Sequence, residues 1–152
     1  MDVDYKDISA NLRKSSYKYL GSGSGRKVYD LGNGYVVKVA KNRFGISQNM
    51  TEYKIALNDN NPLFAKVLHA SERFRFLIME KAEKINNISH IWEYFNTKSN
   101  RTLYQIKELQ DISSKYHIIL SDLGRSANWG QINEKPVIID YGFTRKTFGI
   151  FR

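Results

Sequence analysis

The sequence contains no cysteine, only two prolines and no long apolar run. Without cysteine, neither a disulfide framework nor a zinc site built on thiolates can form, and a reducing compartment is favoured. No apolar segment approaches the roughly 18 residues needed to cross a membrane. Charged residues among the first fifteen positions argue against a signal peptide. We therefore expect a cytoplasmic protein without a membrane partner.

Acidic residues are also in the minority, with 15 Asp and Glu against 24 Lys and Arg and a formal net charge of +9. Excess positive charge attracts anions such as nucleic acid or nucleotide phosphates. The basic residues are spread along the chain, so a merely solvated basic surface is the alternative. An apolar fraction of 41% argues against disorder. The 152 residues are enough for one domain or two small lobes.

Glycine, by contrast, is concentrated in one region. Five of the ten glycines lie between Tyr19 and Lys41, in "GSGSG" at 21–25 and "GNG" at 32–34. The second motif predicts a hairpin turn between strands over 27–31 and 35–40. The first joins two predicted strands, whereas a dinucleotide fingerprint needs its glycines at the start of a helix. Two interpretations stay open: a glycine-rich turn without a ligand, and a loop that lies against phosphates.

A lysine interrupts the second of these strands. Alternation puts Val36, Lys38 and Ala40 on one face of the strand. An ammonium group inside an apolar strand needs an anionic partner, because burying an unpaired charge is costly. A helix predicted over 47–57 carries Glu52, which could supply that partner. Exposure of Lys38 on the sheet surface is the alternative, and Lys41, on the opposite face, is a competing candidate.

The remaining pattern predicts two further strands and then a helical region. The strands cover 65–70 and 74–79, and the helices cover 88–95 and 102–116, the second with a Thr102/Gln105 capping box. Short buried strands are predicted for "HIIL" at 117–120 and "PVIID" at 136–140. The order indicates two lobes, 1–81 and 82–152.

Three oxygen-bearing side chains follow in a short span, Asp122, Asn128 and Asp140, each near apolar strand residues. Carboxylate and amide oxygens are suitable ligands for a Mg²⁺ ion that bridges phosphates. Asp122 could instead orient and deprotonate a hydroxyl group. Each of the three residues could alternatively be an ordinary turn or cap residue. Their order after the glycine loop, Lys38 and Glu52 favours a joint function.

From about Tyr19 to Phe143 the sequence resembles the protein-kinase-like superfamily, including its eukaryotic-like kinases and its aminoglycoside- and sugar-phosphotransferase branch. "GSGSGRKV" is similar to the glycine-rich loop, "VVKVA" to the lysine strand and "LIMEKA" to the last strand and hinge. "SDLGRSAN" is similar to the catalytic loop and "DYG" to the metal-binding motif. The resemblance implies a bilobal α+β fold, with an antiparallel five-stranded N-lobe containing one helix and a reduced, mainly helical C-lobe.

The resemblance also implies ATP and Mg²⁺ as cofactors and assigns roles to individual residues. The implied catalytic residues are Asp122, Lys38, Glu52 and Arg125, and the implied metal ligands are Asn128 and Asp140. The implied ATP contacts are Gly21, Ser22, Gly23, Ser24, Gly25, Val28, Val36, Lys38, Met79, Glu80 and Ala82.

Several positions depart from the family pattern. The third glycine of the loop motif falls on Arg26, and Asn128 lies six residues after Asp122 where the protein-kinase motif has five. The catalytic-loop lysine is replaced by Gly124, which leaves Arg125 as the candidate for the γ-phosphate. Only ten residues follow Gly142, so the resemblance does not extend to an activation segment or to later helices.

These observations predict an ATP-dependent phosphotransferase that transfers the γ-phosphate to an unidentified hydroxyl acceptor, with protein Ser/Thr among the candidates. One alternative is a catalytically inactive, kinase-like module that binds nucleotide, which the short segment after Gly142 motivates. A basic nucleic-acid-binding protein is a less favoured alternative, supported by net charge and aromatic content. The apolar "FGIF" at 148–151 is a candidate contact with a second copy of the chain.

Overall fold

The computed structural model describes residues 3–144 of the chain. "FGIF" and the basic pair at 145–146 lie outside the described residues. The chain divides into two compact units: Met1–Asn58 with Lys66–Lys81, and Asp59–Ala65 with Ala82–Arg152. The segment 59–65 therefore belongs to the second unit. No helix within residues 3–144 has both the length and the apolar character needed to cross a membrane.

The first unit contains a five-stranded antiparallel sheet with the strand order β1-β2-β3-β5-β4. Its strands are β1 (Lys18–Ser22), β2 (Arg26–Asp30), β3 (Tyr35–Ala40), β4 (Val67–Ala70) and β5 (Phe76–Glu80). The central strand, β3, pairs with β2 on one side and β5 on the other. The predicted antiparallel five-stranded sheet is confirmed, with ends that differ from the prediction by a few residues.

Two helices accompany this sheet where the sequence analysis predicted one. Helix α2 (Arg43–Asn58) begins four residues before its predicted start, and helix α1 (Tyr5–Arg13) was not predicted. The Asp4 side chain caps α1 by accepting hydrogen bonds from the backbone N–H groups of Lys6 and Asp7. Within α1 only Ile8 is buried, so its apolar period is too weak to indicate a helix from sequence alone.

The alternation of β3 sends its side chains to the two faces of the sheet. Val37 joins Ile8, Phe76 and Ile78 in a buried apolar cluster on the face that α1 covers. Lys38 points to the other face, where α2 packs against the sheet. This arrangement confirms the predicted alternation, and it decides which helix Lys38 can reach.

The second unit is mainly helical and carries a small antiparallel sheet. Its helices are α3 (Ser89–Tyr94), α4 (Asn100–Leu103) and α5 (Lys107–Tyr116). Two 3₁₀ helices follow, Leu120–Gly124 and Ser126–Asn128. The sheet has the order β6-β7-β8, with β6 (Glu83–Lys84), β7 (Trp129–Ile132) and β8 (Lys135–Ile138).

The single helix predicted over 102–116 was wrong, because α4 and α5 are separate helices. The backbone is extended at Ile106, with ψ at 121°, and this residue caps α5. The predicted capping box at Thr102 and Gln105 was also wrong. The N-cap of α4 is Ser99, whose hydroxyl accepts a hydrogen bond from the Thr102 backbone N–H.

The predicted strand "HIIL" was wrong as well. Residue His117 adopts a left-handed backbone with φ at 61° and ends α5, and Ile118 forms only an isolated bridge with Thr144. A strand that was not predicted forms instead at 129–132. It pairs with β8 through a tight turn in which Asn133 and Glu134 both have positive φ. "PVIID" contributes most of β8, as expected.

Two leucines of the first unit test how much the sheet core contributes to stability. Leu77 on β5 is fully buried, whereas Leu57 on α2 is 68% exposed. We expect Leu77→Ala to lower the free energy of unfolding by about 2–5 kcal/mol through lost burial and a residual cavity. The matched control, Leu57→Ala, should change it by less than about 0.5 kcal/mol. Urea unfolding checks both values, and equal losses in the two variants would contradict the described burial.

Candidate functional site

The predicted contact between Lys38 and Glu52 is present in the first unit. The ammonium Nζ of Lys38 donates to Glu52 Oε1 at 2.8 Å. The side chains are 6% and 0% exposed, respectively. The alternative of an exposed Lys38 is therefore wrong. Lys41, the competing candidate, is exposed, and its Nζ donates to the Ser22 hydroxyl at 3.0 Å.

A second cation, Arg26, contacts the same carboxylate. Its NH1 donates to Glu52 Oε1 at 2.7 Å and its NH2 donates to Oε2 at 2.9 Å. NH1 also donates to Asn49 Oδ1 at 3.0 Å. The sequence marked Arg26 only as a departure from the glycine pattern, and this contact was not predicted. The strand pattern did contain a signal. Arg26 lies opposite Ala40, and opposite residues of an antiparallel pair share a face. Because Ala40 is on the same face of β3 as Lys38, Arg26 is on that face too.

Asn49 fixes helix α2 to the sheet from the same position. This fully buried side chain donates through Nδ2 to the backbone carbonyls of Phe74 at 2.9 Å and Arg75 at 3.2 Å, just before β5. A weaker hydrogen bond of 3.4 Å reaches the carbonyl of Lys38. Its amide oxygen holds Arg26 at the same time. The polar cluster is therefore tied to strand and helix backbone as well as to charged side chains.

The pKa of Glu52 reflects the balance between its burial and these cations. Burial by itself raises the pKa, because the charged carboxylate loses its contact with water. The charges of Arg26 and Lys38, and the hydrogen bonds that both donate, outweigh this effect and lower the pKa from 4.5 to about 2. Glu52 is therefore an anion at neutral pH despite complete burial.

The glycine loop between β1 and β2 is attached to the start of α2. A Cβ atom on Gly25 would lie 2.9 Å from both Cα and N of Gly45, so only glycine allows this close backbone approach. The Lys41 N–H donates to the Gly25 carbonyl at 2.7 Å, and Asn42 Nδ2 donates to the Ser24 carbonyl at 3.2 Å. Packing on the helix therefore accounts for Gly25, and its contact with ATP stays a prediction.

The two earlier glycines have different surroundings. No atom lies within 4 Å of the place where a Cβ would stand on Gly21 or Gly23. Neither residue has a positive φ, so backbone strain does not explain why glycine is there. Ser22 and Ser24 are exposed beside them. The open space beside this stretch is compatible with a bound phosphate group, and that role stays a prediction.

The other predicted ATP contacts, which the resemblance places beside the adenine ring, lie on strands β2, β3 and β5 and just after β5. Val28 pairs with Lys38, and Val36 pairs with Met79. Met79 is 1% exposed. The next residue, Glu80, ends β5, and Ala82 is the first residue of the second unit after that strand. The adenine contacts themselves stay predictions.

Within the second unit, Asp122, Asn128 and Asp140 come together. Asn128 Nδ2 donates to the Asp122 backbone carbonyl at 2.8 Å. The Ile139 N–H donates to the Asn128 carbonyl at 2.9 Å, which places Asn128 beside the residue that precedes Asp140. The longer spacing between Asp122 and Asn128 does not separate these two residues, because the second 3₁₀ helix returns the chain to the first.

The charge of Asp122 responds to its surroundings. Partial burial raises the pKa of its carboxyl above the ordinary value of 3.8, the positive charge of Arg125 lowers it, and the negative charge of Asp140 raises it again. The net direction is upward. Arg125 and Asp140 therefore both lie close enough to Asp122 to influence its proton affinity.

Three residues that the sequence analysis missed support the loop around Asp122. The buried Trp129 donates through Nε1 to the Leu123 carbonyl at 2.8 Å. Tyr104 donates through its hydroxyl to the Ser121 carbonyl, and Asn100 donates through Nδ2 to the Gly124 carbonyl, both at 3.2 Å. These bonds hold the backbone on both sides of Asp122. Their only sequence signal is the presence of polar and aromatic residues in and just after α4 and at the start of β7.

The same contacts explain the glycine at 124, where the family pattern has lysine. A Cβ on Gly124 would lie 2.7 Å from Asn100 Nδ2 and would collide with the Tyr104 hydroxyl. The space for a side chain at this position is thus occupied by residues at the N-terminal and C-terminal ends of α4. A lysine could not be accommodated without moving them.

The residue after Asp140 anchors that end of the site. Tyr141 is 1% exposed, and its hydroxyl donates to the Ala65 carbonyl at 2.7 Å. Its ring lies 4.7 Å from that of Phe64, measured between centroids. The segment 59–65 therefore contributes to the second unit by holding the chain next to Asp140.

The oxygen atoms of this loop suit Mg²⁺, which keeps water and phosphate ligands, better than a metal ion whose ligands all come from the protein. Within residues 3–144, no group of three His, Asp or Glu side chains is arranged to bind a metal ion. Mg²⁺ is commonly bound by one or two carboxylates together with water and substrate phosphates. Asn128 uses Nδ2 in its bond to Asp122, so only its Oδ1 could serve as a ligand beside Asp140.

The low pKa of Glu52 predicts a pH-dependent contribution to stability. An acid whose folded-state pKa is lowered stabilises the fold above its unfolded pKa, and this contribution disappears as the pH falls through the folded value. A shift from 4.5 to about 2 corresponds to on the order of 3 kcal/mol, lost between about pH 4.5 and pH 2.

We expect the stability difference between wild type and Glu52→Gln to be larger at neutral pH than near pH 3 in urea unfolding. Glu72→Gln, an exposed carboxylate of the same unit, is the matched control. A difference that stays constant with pH would contradict the buried ion pairs.

Comparisons with known proteins give a clear result for the fold alone. No protein-family model matches the sequence, and no curated protein matches it. Among solved structures, the complex of gentamicin with APH(2'')-IIa matches 93% of this chain and 71% of its own, with 18% identity and a TM-score of 0.51. The ternary complex of streptomycin, ATP and the same enzyme matches 93% and 72%, with 16% identity and a TM-score of 0.49.

The first of these structures belongs to an aminoglycoside phosphotransferase of the protein-kinase-like superfamily. At 18% identity the likeness is one of fold. It agrees with the antiparallel five-stranded sheet and the α+β composition described above. The chain therefore has the protein-kinase-like fold, as its sequence predicted.

Proposed function

We propose that this protein is an ATP-dependent phosphotransferase that transfers the γ-phosphate to a hydroxyl group of a small molecule. The observation that carries the proposal is the buried Lys38–Glu52 ion pair, with 2.8 Å between Nζ and Oε1, in a chain with the protein-kinase-like fold. In protein kinases, a strand lysine paired with a helix glutamate holds the α- and β-phosphates of ATP. Lys38 is proposed to have that role here.

The second unit supports transfer as well as binding. A module that only bound nucleotide would have no need of a base for the acceptor hydroxyl. Here Asp122 lies next to Asn128 and is influenced by the charge of Asp140. Several side chains from other elements hold its backbone. This support favours the transferase over the inactive module.

Each of the clustered residues has a proposed role. Asp140 and the amide oxygen of Asn128 would hold Mg²⁺, which neutralises charge on the phosphates when bound. Asp122 accepts the proton of the acceptor hydroxyl. Its raised pKa brings the carboxylate closer to the pH at which a general base works best. Arg125, whose charge acts on Asp122, is proposed to stabilise negative charge on the transferred group.

A small-molecule acceptor is preferred over protein Ser/Thr. One solved structure that shares the fold is a complex with gentamicin, a small molecule. The resemblance of the sequence to the aminoglycoside-phosphotransferase branch points in the same direction.

Nucleotide binding is tested by thermal unfolding with ATP, in the presence and absence of Mg²⁺. At a ligand concentration 100 times Kd, the wild type should gain about 2.7 kcal/mol. For a chain of this size that gain raises Tm by about 5–10 °C. Lys38→Ala should abolish the Mg²⁺-dependent shift, whereas Lys54→Ala, which removes an exposed lysine of α2, should keep it. No shift in the wild type would contradict nucleotide binding.

Transfer is tested with γ-labelled ATP and a panel of hydroxylated small molecules that includes gentamicin. We expect Asp122→Asn to lower the transfer rate by about 10²- to 10⁴-fold, because the general base is lost. The ATP-dependent thermal shift should be unchanged in this variant. Asp111→Asn, an exposed acid on α5, is the control for the loss of one negative charge. ATP binding without transfer by the wild type would support the inactive module instead, and labelling of protein alone would contradict the proposed acceptor class.

A further inference from the structure

Arg26 occupies the position where the family pattern has its third glycine, yet it is only 5% exposed. We propose that Arg26 is a positioning residue of the nucleotide site, which holds Glu52, and through it Lys38, in place before any nucleotide binds. The proposal rests on the phosphotransferase function argued above. It concerns a residue that acts through Glu52 and has no proposed contact with the substrate.

The geometry of the contact is that of a fork. Arg26 donates from NH1 and NH2 to the two carboxylate oxygens of Glu52, at 2.7 and 2.9 Å. Two parallel bonds from a rigid, planar guanidinium fix the orientation of a carboxylate as well as its position. Oxygen Oε1 also accepts the bond from Lys38 at 2.8 Å. A rotation of Glu52 away from Lys38 would therefore break its bonds to Arg26.

The position of Arg26 in the chain also connects the glycine loop to helix α2 at more than one point. Arg26 is the first residue of β2 and directly follows Gly25, whose backbone packs against Gly45 near the start of α2. Its guanidinium also reaches Asn49, one turn before Glu52 on the same helix. Two successive residues, 25 and 26, therefore attach the glycine loop and β2 to α2.

This attachment has a functional consequence. In protein kinases the lysine–glutamate pair must be assembled for phosphoryl transfer, and helix position controls that assembly. In this chain Lys38 Nζ lies 2.8 Å from Glu52 Oε1, and the fork of Arg26 holds the glutamate from a neighbouring strand. An arginine beside the glycine loop thus fixes the glutamate whose position a movable helix sets in protein kinases.

The charged groups that act on the Glu52 carboxylate are Arg26 from β2 and Lys38 from β3. The titratable groups of the other two strands have partners elsewhere: on β4, His69 shares a hydrogen bond with the Tyr5 hydroxyl, and at the end of β5 the Glu80 carboxylate accepts from the Lys66 N–H. Removing Arg26 therefore leaves Lys38 as the main group that opposes the effect of burial.

Three variants distinguish the two-point hydrogen bonding of Arg26 from its positive charge and from effects on overall stability. Arg26→Met keeps a long aliphatic side chain and removes both the charge and the hydrogen bonds. Arg26→Lys keeps the charge and loses the two-point geometry. Lys27→Met, at the exposed neighbouring position, changes the net charge by the same amount as Arg26→Met. Far-ultraviolet circular dichroism identifies the variants that remain folded.

The first measurement is the Kd for ATP with Mg²⁺ by titration calorimetry near neutral pH. We expect Arg26→Met to bind on the order of tenfold more weakly, since residues that orient ligating side chains are worth roughly 10- to 100-fold. Arg26→Lys should lie between this variant and the wild type, and Lys27→Met should bind as the wild type does. If Arg26→Met does not fold, wild-type affinity in Arg26→Lys overturns the proposal.

The second measurement does not depend on nucleotide binding. Carbon-13 NMR of the Glu52 carboxyl should show its titration at higher pH in Arg26→Met or Arg26→Lys than in the wild type, and an unchanged titration in Lys27→Met. If the wild type binds no ATP, the proposed function fails. A Glu52 titration at higher pH in the Arg26 variants would still support the contact by which Arg26 holds Glu52. If the wild type binds ATP and the Arg26 variants bind it equally well, the positioning role is wrong.

Discussion

A carboxylate with no exposed surface, held between two cations, is the constraint on which the first unit depends. Burying an ion is expensive unless its charge and hydrogen-bonding capacity are satisfied, and Glu52 is fully buried. Arg26 and Lys38 satisfy it from adjacent strands. Strands β2 and β3 and helix α2 must therefore assemble together, because each supplies a charge that could not be buried alone.

The glycine loop belongs to the same assembly. Gly25 and Gly45 allow two backbone segments to approach closely enough to place the loop against α2. Gly21 and Gly23 meet no neighbouring atoms where a side chain would begin, so the same loop is fixed at one end and open along the rest. The loop therefore has a fixed base and an unobstructed surface, the two properties that the proposed contact with phosphates requires of it.

In the second unit, side-chain hydrogen bonds to the backbone fix the loop around Asp122. Side chains donate to backbone carbonyls around Asp122, from Tyr104 and Asn100 at the two ends of α4 and from the buried Trp129. Such bonds satisfy carbonyl groups that a short 3₁₀ helix leaves open. They also fill the space beside Gly124. The glycine at 124, a departure from the family pattern, thus leaves room for the Tyr104 and Asn100 side chains.

The sequence by itself determined the antiparallel sheet, the face of Lys38, the identity of Glu52 as its partner, and the cluster of Asp122, Asn128 and Asp140. These follow from strand period, helix position and short spacing, which are local properties of the chain. Only the tertiary structure decided the role of Arg26, which depends on a carboxylate 26 residues away. The break between α4 and α5 was likewise unpredicted: the Tyr104 carbonyl accepts a hydrogen bond from Gln110 Nε2, a local bond that helical periodicity does not reveal. The strand at 129–132 pairs with β6, which is distant in sequence, as well as with β8. A local pattern specifies which face a side chain takes, whereas long-range packing specifies what it meets there.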